Sequence, residues 1–163
     1  MHRGKRLLFT AHCILNQNSV IRDWERAIGG FNRIIEMLLT QNIGILQLPC
    51  PEFTFLGEDR RPMTKEEYNT EDYRSHSQEI LKIIIKQFRE YQVHGYEIIG
   101  ILGIGGSPSC DSLRNQGVFM EELMDLLYKE GITIKTFDIP EDYINGQDHS
   151  MLKELEEFIK KKI

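Results

Sequence analysis

Apolar positions along the chain fall into two alternating kinds of run: short ones dense in β-branched residues, and long ones repeating every three or four positions. Leu7, Leu8 and Phe9 sit in the first strand-like run, Lys5 to Cys13, and the chain then turns polar at Asn16-Gln17-Asn18-Ser19. Trp24, Ile28, Phe31, Ile35 and Leu38 recur at helical spacing and predict a helix over 22–41, interrupted by Gly29-Gly30 and stopped at Asn42 and Gly44. A second strand, 43–48, runs into Pro49-Cys50-Pro51-Glu52, where two prolines around a cysteine predict an extended, rigid loop. The polar stretch 53–70, with Arg60-Arg61-Pro62 in its middle, reads as a long connection and a candidate lid. Ile80, Ile84, Phe88 and Tyr91 then mark a helix over 71–92.

The run from Glu97 to Cys110, EIIGILGIGGSPSC, organises the rest. Its first part has the near-continuous β-branched character of a strand buried on both faces, and it breaks into a small, polar, glycine-rich turn ending in a thiol. A helix over 116–130 (Phe119, Leu123, Leu126), a strand over 133–139 stopped by Pro140, and a helix over 148–162 (Leu152, Leu155, Ile159) complete the pattern. Strands alternating with helices predict a single α/β domain over 1–163. The expected sheet is doubly wound and mostly parallel, with about four strands in the order 2-1-3-4, right-handed crossovers and helices on both faces. Its switch point, between strands one and three, is where such a sheet places its site.

Composition narrows the function classes. The formal net charge is -5, and no basic stripe is available to release counterions from a nucleic-acid backbone, so nucleic acid is not the expected partner. Lys160-Lys161-Lys162 reads as a solvated helix end. No apolar segment reaches membrane-spanning length, and the basic N-terminus is followed by a strand-length apolar run with no small-residue cleavage site, so a cytoplasmic protein away from the membrane is expected. Three widely spaced cysteines do not make a disulfide framework.

Each cysteine alone reads as a buried apolar thiol. Together they change the picture, because Cys13, Cys50 and Cys110 follow three successive strands and a parallel sheet brings those ends to one edge. Three thiolates fall one short of a structural zinc shell. His12 is expected on the opposite side of its strand from Cys13, and His76, His94 and His149 are placed on helices or at their ends. An iron–sulfur cluster with one open iron suits three thiolates better. Two other readings stand beside it: a nucleotide- or anion-binding module using the Gly103–Ser107 loop without catalysis, and a thiol-dependent transferase using Cys110 alone.

The motifs AHCILNQNS, LPCPE and GGSPSC resemble those of the thiouracil desulfidase family, in its branch of related desulfidases, and the resemblance extends over essentially the whole chain. It implies a Rossmann-like α/β domain holding a four-iron–four-sulfur (4Fe-4S) cluster through three cysteines, here Cys13, Cys50 and Cys110. The fourth iron would be open to take sulfur from a small thiolated compound, thionucleobase-like. The implied reaction is a non-redox conversion of C=S to C=O with water as the oxygen source. Glu52 resembles the family's catalytic acid/base and Ser107 its catalytic serine. An exposed iron is oxygen-labile by expectation, and the sequence does not tell whether the cluster survives purification in air.

The chain departs from the family at Gly106, where many members have Arg. It also has Asn16-Gln17-Asn18 where they have a second Cys followed by Arg-Tyr, and Phe53-Thr54-Phe55-Leu56 where they have a glycine-rich run. The substrate contacts are therefore read from this chain alone, with Asn16, Asn18, Arg60 and Arg61 as polar groups expected to face the substrate.

Overall fold

The computed structural model describes residues 1–147 and 150–162. Four strands, β1 (Arg6–Thr10), β2 (Gly44–Gln47), β3 (Glu97–Ile104) and β4 (Thr136–Ile139), form one sheet in the order β2-β1-β3-β4, and every pairing is parallel. The helices are α1 (His12–Leu15), α2 (Asn32–Thr40), α3 (Pro51–Leu56), α4 (Lys65–Tyr68), α5 (Glu71–Val93), α6 (Val118–Lys129) and α7 (Ser150–Lys160), with a 3-10 turn at Gln17–Ser19. The expected α/β class and strand order are both present. The expected start of the last helix at Asp148, and His149, lie outside the described residues.

Alternation along the central strands builds two cores. Leu8 and Leu102 join Phe31, Ile34 and Leu38 of α2 and its N-terminal edge with Leu155 and Ile159 of α7 on one face. Phe9 and Ile101 join Leu81, Ile84 and Phe88 of α5 with Phe119 and Leu123 of α6 on the other. Successive side chains of a strand point to opposite faces, so neighbours in sequence serve different cores. The Phe9 and Phe88 rings stack with centroids 3.8 Å apart and planes 9° from parallel, tying β1 to α5. Along β3 the register shifts opposite Leu7 and Leu8, and Gly100 admits Phe158 of α7: a Cβ there would lie 2.7 Å from its ring.

Three sequence expectations are corrected. The helix predicted over 22–41 begins only at Asn32, leaving Trp24 61% and Ile28 101% exposed instead of in the core. Asp23 has φ 70°, which ends any helix through it. The preceding segment is instead bonded back to the turn after β1: Gln17 N–H donates to Gly29 O (2.6 Å) and Phe31 N–H to Ile14 O (2.8 Å). The second correction concerns Pro49-Cys50-Pro51-Glu52, which is not an extended loop. Pro51 takes the first position of α3, where a missing N–H costs nothing, and Cys50 is the N-cap. The polar connection after it is also no free lid. It contains α3 and α4, buries Tyr68, and leaves the Arg60 side chain only 3% exposed.

Candidate functional site

Beyond the C-terminal ends of β1, β2 and β3 lies a cavity of about 870 Å³ whose walls include Cys13, Cys50, Cys110, Glu52 and Ser107. Cys13 is carried by the one-turn helix α1, Cys50 by the N-cap of α3, and Cys110 by the turn after β3. Each is partly exposed, and no disulfide joins them. A smaller cavity of about 550 Å³ adjoins this one through Val20 and has none of the three thiols on its walls.

Protein crowds the thiols on their remaining sides. Burial pushes Cys13 up to about 12, and the charge of Cys50 adds to it against the opposing pull of Arg26. Burial raises Cys50 as well, relieved in part by the Phe53 N–H that donates to its Sγ at 3.4 Å. Cys110 is raised well above its ordinary value by burial first, and then by the charges of Cys13 and Cys50. Three thiols this close oppose one another's ionisation, and a bound cationic centre would remove that opposition. Among the described residues no group of three or more His, Cys, Asp or Glu side chains is arranged to hold a metal ion. A single ion needs its donors converging on one point, whereas in a multi-iron cluster each thiolate binds its own iron. Thiolate is the soft donor type that iron–sulfur clusters take.

Glu52 is held through one oxygen. Tyr68, itself 1% exposed, donates its hydroxyl to Oε1 at 3.0 Å, and Arg60 Nε approaches the same oxygen at 3.4 Å. Arg60 also donates to the carbonyls of Ser19 (2.7 Å) and Gly57 (3.2 Å). Oε2 is left free of hydrogen bonds among the described residues, on a side chain that lines the cavity. Ser107 Oγ accepts from the N–H groups of Ser109 (3.2 Å) and Cys110 (3.0 Å), so it latches the turn that presents Cys110 while its own proton stays available to the cavity.

The glycine loop is shaped around an anion, but the anion is internal. Asp111 accepts from Gly106 N–H (2.7 Å), Leu113 N–H (3.0 Å) and Arg114 N–H (2.9 Å). Burial alone would raise its pKa; the three backbone donors outweigh burial and hold it below the usual carboxylate range. Asp138 on β4 accepts from Ser112 N–H, Ser112 Oγ and Leu113 N–H, while burial holds its pKa above the ordinary value. Gly105 N–H donates to Ile139 O and Ser107 N–H to Ile104 O. No backbone N–H from Gly105 to Ser107 remains for a bound phosphate, and the anion-cradle reading relied on those backbone donors. Gly117 completes the brace: a Cβ on it would fall 2.2 Å from the Ser109 carbonyl carbon.

The other residues expected at the site divide. Arg60 lines the cavity but is buried in its bonds to Glu52, Ser19 and Gly57. Arg61 is not on the wall and pairs with Glu67 at 2.5 Å. Asn16 caps the 3-10 turn, accepting from Asn18 N–H (3.1 Å) and Asn18 Nδ2 (2.9 Å), and neither lines the thiol cavity. His12 bonds Leu48 O, His76 bonds Thr54 Oγ1, and His94 is exposed.

Arg26 was not anticipated. It lines the cavity, donates Nη1 to Pro140 O (2.6 Å) and Tyr143 O (3.2 Å), and lies with its guanidinium carbon 5.4 Å from the Phe31 ring centroid. Gln17 connects it to the first thiol, donating Nε2 to Cys13 O and accepting Arg26 N–H on Oε1, each at 2.8 Å. The helical periodicity of 22–41 conceals this, because it places Arg26 on a solvent face. The signals that override it are Gly29-Gly30 and the buried Gln17.

No family model matches the chain, and no solved structure matches it. The sequence is 45% identical over 159 residues to the uncharacterized protein MJ0003 of Methanocaldococcus jannaschii, an alignment covering 97% of this chain and 99% of that one. Identity at that level along nearly the full length of both means that the chain belongs to the same family as MJ0003.

Proposed function

We propose that the protein is an iron–sulfur-dependent desulfidase that removes sulfur from a small thiolated compound, thionucleobase-like, by non-redox conversion of C=S to C=O. The observation that carries this reading is the convergence of Cys13, Cys50 and Cys110 on one cavity that Glu52 also lines. Cys13, Cys50 and Cys110 would hold a 4Fe-4S cluster, which when bound supplies a Lewis-acidic, sulfur-accepting iron without a protein ligand. The overall change balances as one C=S and one water giving one C=O and hydrogen sulfide, with no electron gained or lost.

The chain's own groups supply proton handling and position. Glu52, fixed through Oε1 by Tyr68 and Arg60, has Oε2 available to take a proton from attacking water and return it to the departing sulfur. Ser107 holds the Cys110 turn through its oxygen and directs its hydroxyl proton toward the substrate oxygen or sulfur. Three cysteines joined by no disulfide suit a reducing cytoplasm. A lone nucleophilic Cys110 suits the site less well, since burial and its neighbours raise this thiol and so disfavour the reactive thiolate.

The test is sulfide release from 2-thiouracil by anaerobically reconstituted protein. Wild type is expected to release sulfide, Glu52→Gln to keep the brown cluster absorbance with turnover lowered about 10²–10⁴-fold, and alanine at any of the three cysteines to abolish both. Undiminished release from Glu52→Gln would remove its assigned role, and release from the triple cysteine variant would end the proposal.

A further inference from the structure

Among the described residues, the cations on the cavity wall are Arg26 and Arg60, and their surroundings differ. Arg60 has a carboxylate partner in Glu52 and gives its other bonds to the carbonyls of Gly57 and Ser19. Arg26 forms no ion pair among the described residues. Only its Nη1 is engaged, by the neutral carbonyls of Pro140 and Tyr143. Nε and Nη2 have no acceptor there, and they form the guanidinium edge that meets a carboxylate with two parallel N–H bonds.

The negative charges around Arg26 leave that edge open. Asp142 and Glu141 act on it from a distance, and both residues are exposed to water. Glu141 is turned onto the glycine loop instead, so that a Cβ on Gly106 would lie 1.7 Å from its Oε2. The Cys13 thiolate is the strongest attraction on Arg26, yet burial outweighs every attraction and lowers the pKa of the guanidinium. The group is also held still. Gln17 Oε1 accepts the Arg26 backbone N–H at 2.8 Å, two carbonyls fix Nη1, and the Phe31 ring centroid lies 5.4 Å from the guanidinium carbon. A half-buried cation with a fixed, open fork loses little freedom when an anion arrives and acquires the partner it lacks.

One fork matches one monoanion. A phosphomonoester carries about two negative charges, and the second would find no free cation on the wall, since Arg60 is committed to Glu52. Glu141 and Asp142 also oppose a dianion more than a monoanion.

We infer that the Arg26 fork receives a carboxylate carried by the substrate, which makes the substrate class a small thiolated carboxylic acid. The inference rests on the desulfidase reading for the sulfur, whereas the carboxylate contact is measured by binding without turnover. The experiment is anaerobic equilibrium dialysis of protein reconstituted with iron and sulfide, with sulfide release followed in parallel. The ligands are 2-thiouracil, its 5- and 6-carboxylic acids, 2-thiouridine and 2-thiouridine 5′-monophosphate. At least one carboxylic acid is expected to bind about tenfold or more tightly than 2-thiouracil. The monophosphate is expected to show a smaller advantage over 2-thiouridine. Arg26→Gln is expected to remove the carboxylate advantage with circular dichroism unchanged, and Arg26→Lys, which keeps the charge without the fork, to retain only part of it. A role of Arg26 toward the thiols alone would move both ligands together and leave the ratio of their affinities as in wild type. No carboxylate advantage in wild type, a larger one from phosphate, an advantage that survives Arg26→Gln, or failure of every compound to bind overturns the inference. The wild-type comparisons decide it even where a variant fails to fold. An Arg26-dependent carboxylate advantage without sulfide release would sustain the inference and overturn the proposed function; sulfide release from 2-thiouracil without that advantage would do the reverse.

Discussion

Tyr68 is a buried phenol whose hydroxyl donates to Oε1 of Glu52. Removing it with Tyr68→Phe leaves the ring packing against Tyr73 intact, centroids 4.7 Å apart, and frees the carboxylate to turn. Stability is expected to fall by about 1 kcal/mol, the net worth of an ordinary hydrogen bond, with cluster content unchanged and turnover reduced. Denaturant titration beside single-turnover sulfide release checks this; unchanged turnover would show that the Tyr68 bond does not orient Glu52. Asp111 gives a pH prediction. Its folded pKa lies below the unfolded value, so its contribution is fully present above the ordinary carboxylate pKa of about 3.9 and is lost as the pH falls through the folded value. Asp111→Ala leaves the Gly106, Leu113 and Arg114 N–H groups without their acceptor and is expected to cost about 2–4 kcal/mol at neutral pH. The difference from wild type should shrink toward strongly acid pH in thermal melts, and a difference independent of pH would contradict this account of the loop.

Between residue and fold, the segment joining α1 to α2 is the one the hydrophobic pattern misreads. Trp24, Ile28, Phe31, Ile35 and Leu38 have helical spacing, yet the helix is only Asn32–Thr40. A Cβ on Gly30 would lie 2.8 Å from Leu15 O and 3.0 Å from Ile14 O, so this glycine is required for the segment to approach the turn that carries Cys13. Gly30→Ala is expected to destabilise the protein by about 1–3 kcal/mol through overpacking and to loosen Cys13. A matched substitution at Gly29, which has nothing within 4 Å, should cost less. Equal losses at the two positions would show that the contact does not matter. Periodicity reads β3, α5 and α6 well because their burial is set by the sheet they cover. It fails over 20–31 because backbone bonds to α1, with a long range in sequence, decide the conformation there. Prolines mislead for a related reason: Pro51 breaks a helix interior but opens a helix when it stands first.

At the scale of the whole molecule, parallel topology accounts for how widely separated thiols meet. With β1 between β2 and β3, the loops that follow all three strands emerge on one edge, and Cys13, Cys50 and Cys110 line one cavity. That convergence was legible in the sequence from strand order alone, as were Glu52 and Ser107 from their motifs. Arg26, Tyr68, Asp111 and the acidic contact of Glu141 were not, since each acts through a partner distant in the chain or through backbone N–H groups that leave no periodic trace. Among the described residues no helix is long and apolar enough to cross a membrane. Whether the three thiols share one iron–sulfur cluster is decided by anaerobic reconstitution with iron and sulfide, followed by iron counting, visible absorbance and electron paramagnetic resonance on wild type and Cys110→Ala. A four-iron cluster is expected in wild type and its loss in Cys110→Ala; no cluster in wild type, or one that survives the loss of Cys110, would rule out shared ligation by the three thiols.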